Sequence, residues 1–157
     1  MSSTGDRSAT RRFAETTVQK AALTAGIIFL LIGILGFIPG VTTNFDQLMF
    51  AGEESGALLL GVFQVSVLHN FVHLLFGIVG VAVARTARAS RQYLIWGGVV
   101  YFVLWLYGLF VPHESMANFV PMNDGDDWLH LVLAIGMVAL GLLLGRDLSR
   151  DRDRRTA

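Results

Sequence analysis

Residues 128–145 read WLHLVLAIGMVALGLLLG, eighteen positions without an Asp, Glu, Lys or Arg. At about 1.5 Å of rise per residue, such a run forms a helix of about 27 Å, close to the roughly 30 Å hydrocarbon core of a bilayer. Three further stretches share this character: Lys20–Ile38, Ala57–Ala84 and Tyr93–Val111, in which Lys20 is the one charged residue. Helices satisfy their own backbone hydrogen bonds, so an apolar run of this length in lipid is expected to be helical. The expected fold class is therefore all-α, an integral membrane four-helix bundle over residues 18–146. The flanks, 1–17 and 147–157, are rich in Ser, Thr, Arg and Asp and are expected to be flexible tails.

Composition agrees, with 54% hydrophobic and 15% charged residues among 157. No cysteine is present, which removes disulfides, thiolate metal sites and thiol nucleophiles together. The formal net charge of zero hides a strong segregation. Arg7, Arg11, Arg12 and Lys20 precede the first span, Arg85, Arg88 and Arg91 follow the second, and Arg146, Arg150, Arg152, Arg154 and Arg155 follow the fourth. Asp46, Glu53 and Glu54 lie in the first connection, and Glu114, Asp124, Asp126 and Asp127 in the third, where Lys and Arg are absent. By the positive-inside rule both termini face the cytoplasm and the acidic connections face outward, as expected of a multi-pass protein of the bacterial plasma membrane. Gly36-Phe37-Ile38-Pro39-Gly40 offers no small-x-small cleavage site, so the first span is expected to stay attached.

An internal duplication runs through the spans. Asn70-Phe71-Val72-His73-Leu74 matches Asp127-Trp128-Leu129-His130-Leu131, and Gly36-Phe37-Ile38-Pro39 resembles Gly108-Leu109-Phe110-Val111-Pro112. Each half would then hold an outward and a returning helix, giving two parallel repeats of a helical hairpin. Gly26, Gly33, Gly36 and Gly40 stack along one face of the first helix, while Gly77, Gly80 and Ala84 do so on the second. Such small-residue faces let helices approach closely in lipid. Trp105 and Trp128 toward the outer ends, with Tyr93 and Trp96 toward the inner, fit interfacial anchoring. Asp126 or Asp127 is the expected cap of the fourth helix.

The histidines are the chemistry on offer. His69 and His73 lie one helical turn apart and share a face, a spacing by which one helix presents two imidazoles to a single ion. His69 and His130 each precede an arginine by 16 residues, Arg85 and Arg146, which places both roughly 24 Å from the inner face. His69, His73 and His130 are therefore the candidate metal ligands, with zinc or copper(II) favoured by a thiolate-free nitrogen set and with Asp127 or Glu114 as orienting carboxylates. The same three residues are the candidate axial ligands of a haem b. A proton path through Asn70 and Asp127 is a further possibility, although the inner halves of the spans carry no acid or histidine to continue it. Against these stands simple structural pairing of each histidine with loop carbonyls, Asn70 or Asp127. Ser66 is assigned to packing, and His113 to the outer rim.

Walker, Rossmann, H-E-x-x-H and G-x-S-x-G motifs are absent, and no basic-aromatic stripe points to nucleic acid. Catalysis is not expected. The segment His69-Asn70-Phe71-Val72-His73-Leu74-Leu75-Phe76-Gly77, with Asn123-Asp124 leading to Trp128-Leu129-His130-Leu131, resembles the bacterial family called domain of unknown function 4383 across residues 20 to 146. The resemblance implies a four-span membrane protein and carries no activity or ligand. The resulting expectation is a non-catalytic envelope component acting by interaction, partnered by the bilayer and by copies of itself or other membrane proteins. The alternative is a metal- or haem-binding protein built on the histidine cluster.

Overall fold

A computed structural model describes residues 12–146, so most of the first expected tail and all of the second lie outside the described residues. Four helices follow in order, α1 (Thr17–Leu35), α2 (Val67–Val83), α3 (Ala87–Phe110) and α4 (Asp124–Leu144). The first, third and fourth are long and apolar enough to cross a membrane, and α2, at 17 residues, is shorter but equally apolar. The helices start at side chains that satisfy free amides. Thr16 caps α1 in a reciprocal box with Gln19, Ser66 caps α2, Thr86 caps α3 and Asn123 caps α4. The buried Gln19 amide also donates to the carbonyls of Arg12 and Ala84, both at 2.9 Å, tying the entry of α1 to the exit of α2.

The apolar stretch Ala57–Ala84 is not one helix. Its first part turns back through two short strands before α2 begins at Val67. Strands β1 (Thr42–Thr43), β2 (Leu58–Leu59) and β3 (Phe63–Gln64) form an antiparallel sheet in that order, with a 3-10 turn at Phe45–Gln47. Leu60 and Gly61, both in the left-handed region at φ 55° and 71°, make the reversal between β2 and β3. A buried cluster of Ala57, Leu59 and Val65 fixes this cap on the end of the bundle, packed against Ile32 and Leu35 of α1.

Helix α1 packs along α2, and α3 along α4, while the two hairpins approach each other far less. Within each pair a glycine sets the closest approach. A Cβ on Gly26 would lie 2.7 Å from the Val81 amide nitrogen and 2.9 Å from the Gly77 carbonyl oxygen, and one on Gly98 would lie 2.8 Å from the Ala134 carbonyl oxygen. Gly26 and Gly98 hold equivalent places in the two repeats, as do the caps Ser66 and Asn123. A third equivalent pair, Phe29 and Tyr101, meets where the hairpins join, with rings stacked at 5.5 Å and 10°. The duplication therefore survives as a pseudo-twofold arrangement of hairpins about this stack.

Candidate functional site

The capping of α2 sets the positions of its histidines. The Ser66 hydroxyl accepts the His69 amide at 3.1 Å, and the helix that starts there turns His69 and His73 inward, both buried. Their rings stack in near-parallel planes, 4.3 Å apart and 9° inclined. His73 Nδ1 lies 3.0 Å from the His69 carbonyl, which can only accept, so this nitrogen carries the proton. His73 Nε2 is then the acceptor for the Tyr101 hydroxyl at 3.4 Å. Both nitrogens of His73 are thus engaged. His130, 3% exposed on α4, sets its ring 5.2 Å from that of Tyr101, and its Nδ1 is buried without a hydrogen-bond partner.

The three histidines meet at the seam between the hairpins. They form the wall shared by two cavities, one of about 260 Å³ toward α2 and α3, the other of about 210 Å³ between α1, α4 and the cap. Lone pairs lie in the plane of an imidazole, so the parallel rings of His69 and His73 face separate planes, and one of them must rotate before both can reach a single ion at about 2 Å. Around the histidines the first cavity is lined by Phe76, Tyr101, Val72 and Val100, and the second by Ile32, Leu59, Phe63 and Leu133. Asp126 is the acidic side chain among the described residues that borders the second cavity. It is committed elsewhere, since one of its oxygens accepts the backbone amides of Asn123 at 3.1 Å and Gln64 at 3.0 Å.

Several expected roles fall differently. Asn123, and not Asp126 or Asp127, caps α4, because its side chain reaches the Asp126 amide at 3.0 Å while Asp126 closes the box from the third position. Tyr93 is 8% exposed and donates to the Phe76 carbonyl at 3.1 Å, so it ties α3 to α2 instead of anchoring at an interface. Trp96 and Trp128 are 66% and 69% exposed. Asp127 does orient an imidazole, but that of His113, whose Nε2 stands 3.1 Å from its Oδ2.

His113, Asp124 and Asp127 form, among the described residues, the group of potential ligand atoms gathered within 4.8 Å of one another. His113, expected at the outer rim, has carboxylate partners that its place in the sequence does not by itself announce. The available signal was Pro112, which ends α3 and sends the next residue back toward the acidic start of α4.

Asn70 and Asp127 repeat one another in space as well as in sequence. A Cβ on Gly36 would collide with the Asn70 amide, and one on Gly108 with the Asp127 carboxylate. Neither amide atom of Asn70 has a partner, and Asp127 Oδ1 is likewise unpaired. No curated protein and no solved structure matches the chain. The family model of the domain of unknown function DUF4383 matches residues 19–143, and the chain belongs to that family.

Proposed function

We propose that this member of the DUF4383 family is a non-catalytic protein of the bacterial plasma membrane that crosses the bilayer four times and acts by binding at the outer seam between its hairpins. One observation carries the reading: His69, His73 and His130, from two different hairpins, share a wall between two cavities, and His130 Nδ1 is buried without a partner. A buried polar atom left unpaired costs about 1–3 kcal/mol, and an incoming group that hydrogen-bonds it recovers much of that. The segregation of arginines from acids supports cytoplasmic termini and an outward-facing cap.

Two measurements test this. Since the chain lacks cysteine, single reporters are clean: Met116→Cys in the third connection reacts with an impermeant maleimide on intact cells, and Ala89→Cys near the start of α3 reacts only after permeabilisation. The reverse pattern sinks the orientation. For the seam, organic extraction of protein purified in mild detergent yields near one equivalent of a lipophilic molecule from the wild type and none from His130→Leu.

A second reading has the unpaired Nδ1 of His130 in its favour. In it, zinc, copper or haem b is held by His69, His73 and His130. A Soret band, or one equivalent of zinc or copper lost in His73→Ala, decides for that reading.

A further inference from the structure

We propose that the seam takes the carbonyl-bearing ring of a lipophilic quinone, which enters sideways from the bilayer between α2 and α3. This rests on the reading of the seam as a binding site and names its ligand class. The mouth of the larger cavity carries Val72, Val100 and Phe119, 49%, 48% and 57% exposed, on the side of the bundle that faces lipid when the helices span a membrane. Behind this rim stand Phe76 and Tyr101, whose rings are perpendicular at 87°, so that a flat partner lying against one meets the other edge-on. A cavity of about 260 Å³ exceeds the roughly 150 Å³ that holds a benzene-sized guest, and so has room for a substituted ring.

The polar groups choose the ligand chemistry. Among the described residues His73 is satisfied by its own helix and by Tyr101, whereas the rings of His69 and His130 have no hydrogen bond to the protein. Each imidazole can present an N–H into the seam, and the complement of two N–H donors in apolar surroundings is a neutral molecule with carbonyl oxygens. An anionic lipid headgroup would need a cation, and no Lys or Arg lines either cavity. A metal ion would need converging lone pairs, which the stacked His69 and His73 rings do not provide as they stand. A quinone ring supplies the acceptors, it can lie against one of the perpendicular Phe76 and Tyr101 rings and meet the other edge-on, and its isoprenoid tail can remain in lipid past Val72 and Val100.

The test uses the full chain in phosphatidylcholine nanodiscs and menadione, labelled with tritium for uptake and with carbon-13 at its carbonyls for infrared spectroscopy. Menadione alkylates thiols, and a cysteine-free chain avoids that reaction. The expected result is saturable uptake near one per chain above empty discs, with the carbonyl stretch shifted to lower frequency by hydrogen bonding. Val72→Trp fills the mouth from a half-exposed position and weakens uptake at least tenfold, while Ile78→Trp, 56% exposed on the same helix, leaves it unchanged. His69→Leu removes part of the carbonyl shift. Uptake no greater than in empty discs, or insensitive to Val72→Trp, overturns the proposal. Should zinc or copper(II) alone bind stoichiometrically and be lost in His69→Leu while menadione does not bind, the ligand class is wrong and the seam remains a binding site. If neither binds, the reading of the seam falls with it.

Discussion

At the scale of single residues, the pairs Gly36–Asn70 and Gly108–Asp127 connect sequence to architecture most directly. Gly36 caps the end of α1 and Gly108 lies in the last turn of α3, and each partner is a polar residue three positions before a histidine on the returning helix. Adding a methyl at Gly36 pushes on the Asn70 amide, which is fully buried and has nowhere to swing. Gly36→Ala is therefore expected to destabilise by about 1–3 kcal/mol, the range for overpacking a filled site. The obstruction is a side chain, so Asn70→Ala should relieve it, giving a coupling of at least about 0.5 kcal/mol in a double-mutant cycle measured by unfolding in detergent. Gly26→Ala should find no such relief, because its neighbours are the backbone of Gly77, Gly80 and Val81. Additive effects at Gly36 and Asn70 would mean that the two do not press on each other. The glycine and Asn/Asp motifs were legible in the chain as parallel echoes. That each glycine lies over its own Asn or Asp was not, because spacing along one helix says nothing about rotation against the next.

Among the elements, the helices were readable and the cap was not. Ala57 to Val65 carries no charge and one polar side chain, Gln64, so it runs into the following helix as one apolar stretch, and such a run carries little periodicity to tell strand from helix. The punctuation was there in Gly61, Gln64 and Ser66, which supply a left-handed turn, a side chain that donates to the carbonyls of Glu53 and Ser55, and a helix cap. The start of α4 was hidden by excess, since Asp126 and Asp127 both offered themselves for a cap that belongs to Asn123. Removing that cap tests the assignment. Asn123→Ala frees the Asp126 amide and also breaks the bond from Asn123 Nδ2 to the Val62 carbonyl at 2.8 Å, which ties α4 to the cap sheet. A loss of about 0.5–2 kcal/mol is expected in thermal or denaturant unfolding, with Asn123→Asp retaining the capping share of it. Asp127→Ala should leave the cap intact and instead release His113, which nitrogen NMR of the imidazole would register. An Asn123→Ala protein as stable as the wild type would move the start of α4 elsewhere.

For the molecule as a whole, the decisive property is that two well-packed hairpins meet through few residues. The seam holds Phe29 against Tyr101, with His73 and Phe76 at the edges of the Phe29 ring at 5.8 and 5.3 Å, and cavities open on both sides of the nearby histidines. In lipid, helices associate through packing and hydrogen bonds and not through exclusion from water. Losing the ring at this point should therefore loosen hairpin from hairpin while sparing each hairpin's own glycine-mediated contacts. Phe29→Ala is expected to cost roughly 3–5 kcal/mol by the usual range for a buried phenylalanine. Its diagnostic effect is geometric. Spin labels at Ile78→Cys on α2 and Val103→Cys on α3, both exposed, report across the seam, and a pair at Ile28→Cys and Ile78→Cys reports within one hairpin. In Phe29→Ala the first distance distribution should broaden and the second should hold. The cavities that isolate the histidines are the same gaps that keep the hairpins from packing tightly, so a molecule that fills them should narrow the first distribution again. Equal broadening in both pairs would show a bundle that loosens as one body, and binding could not then be a matter of closing a seam.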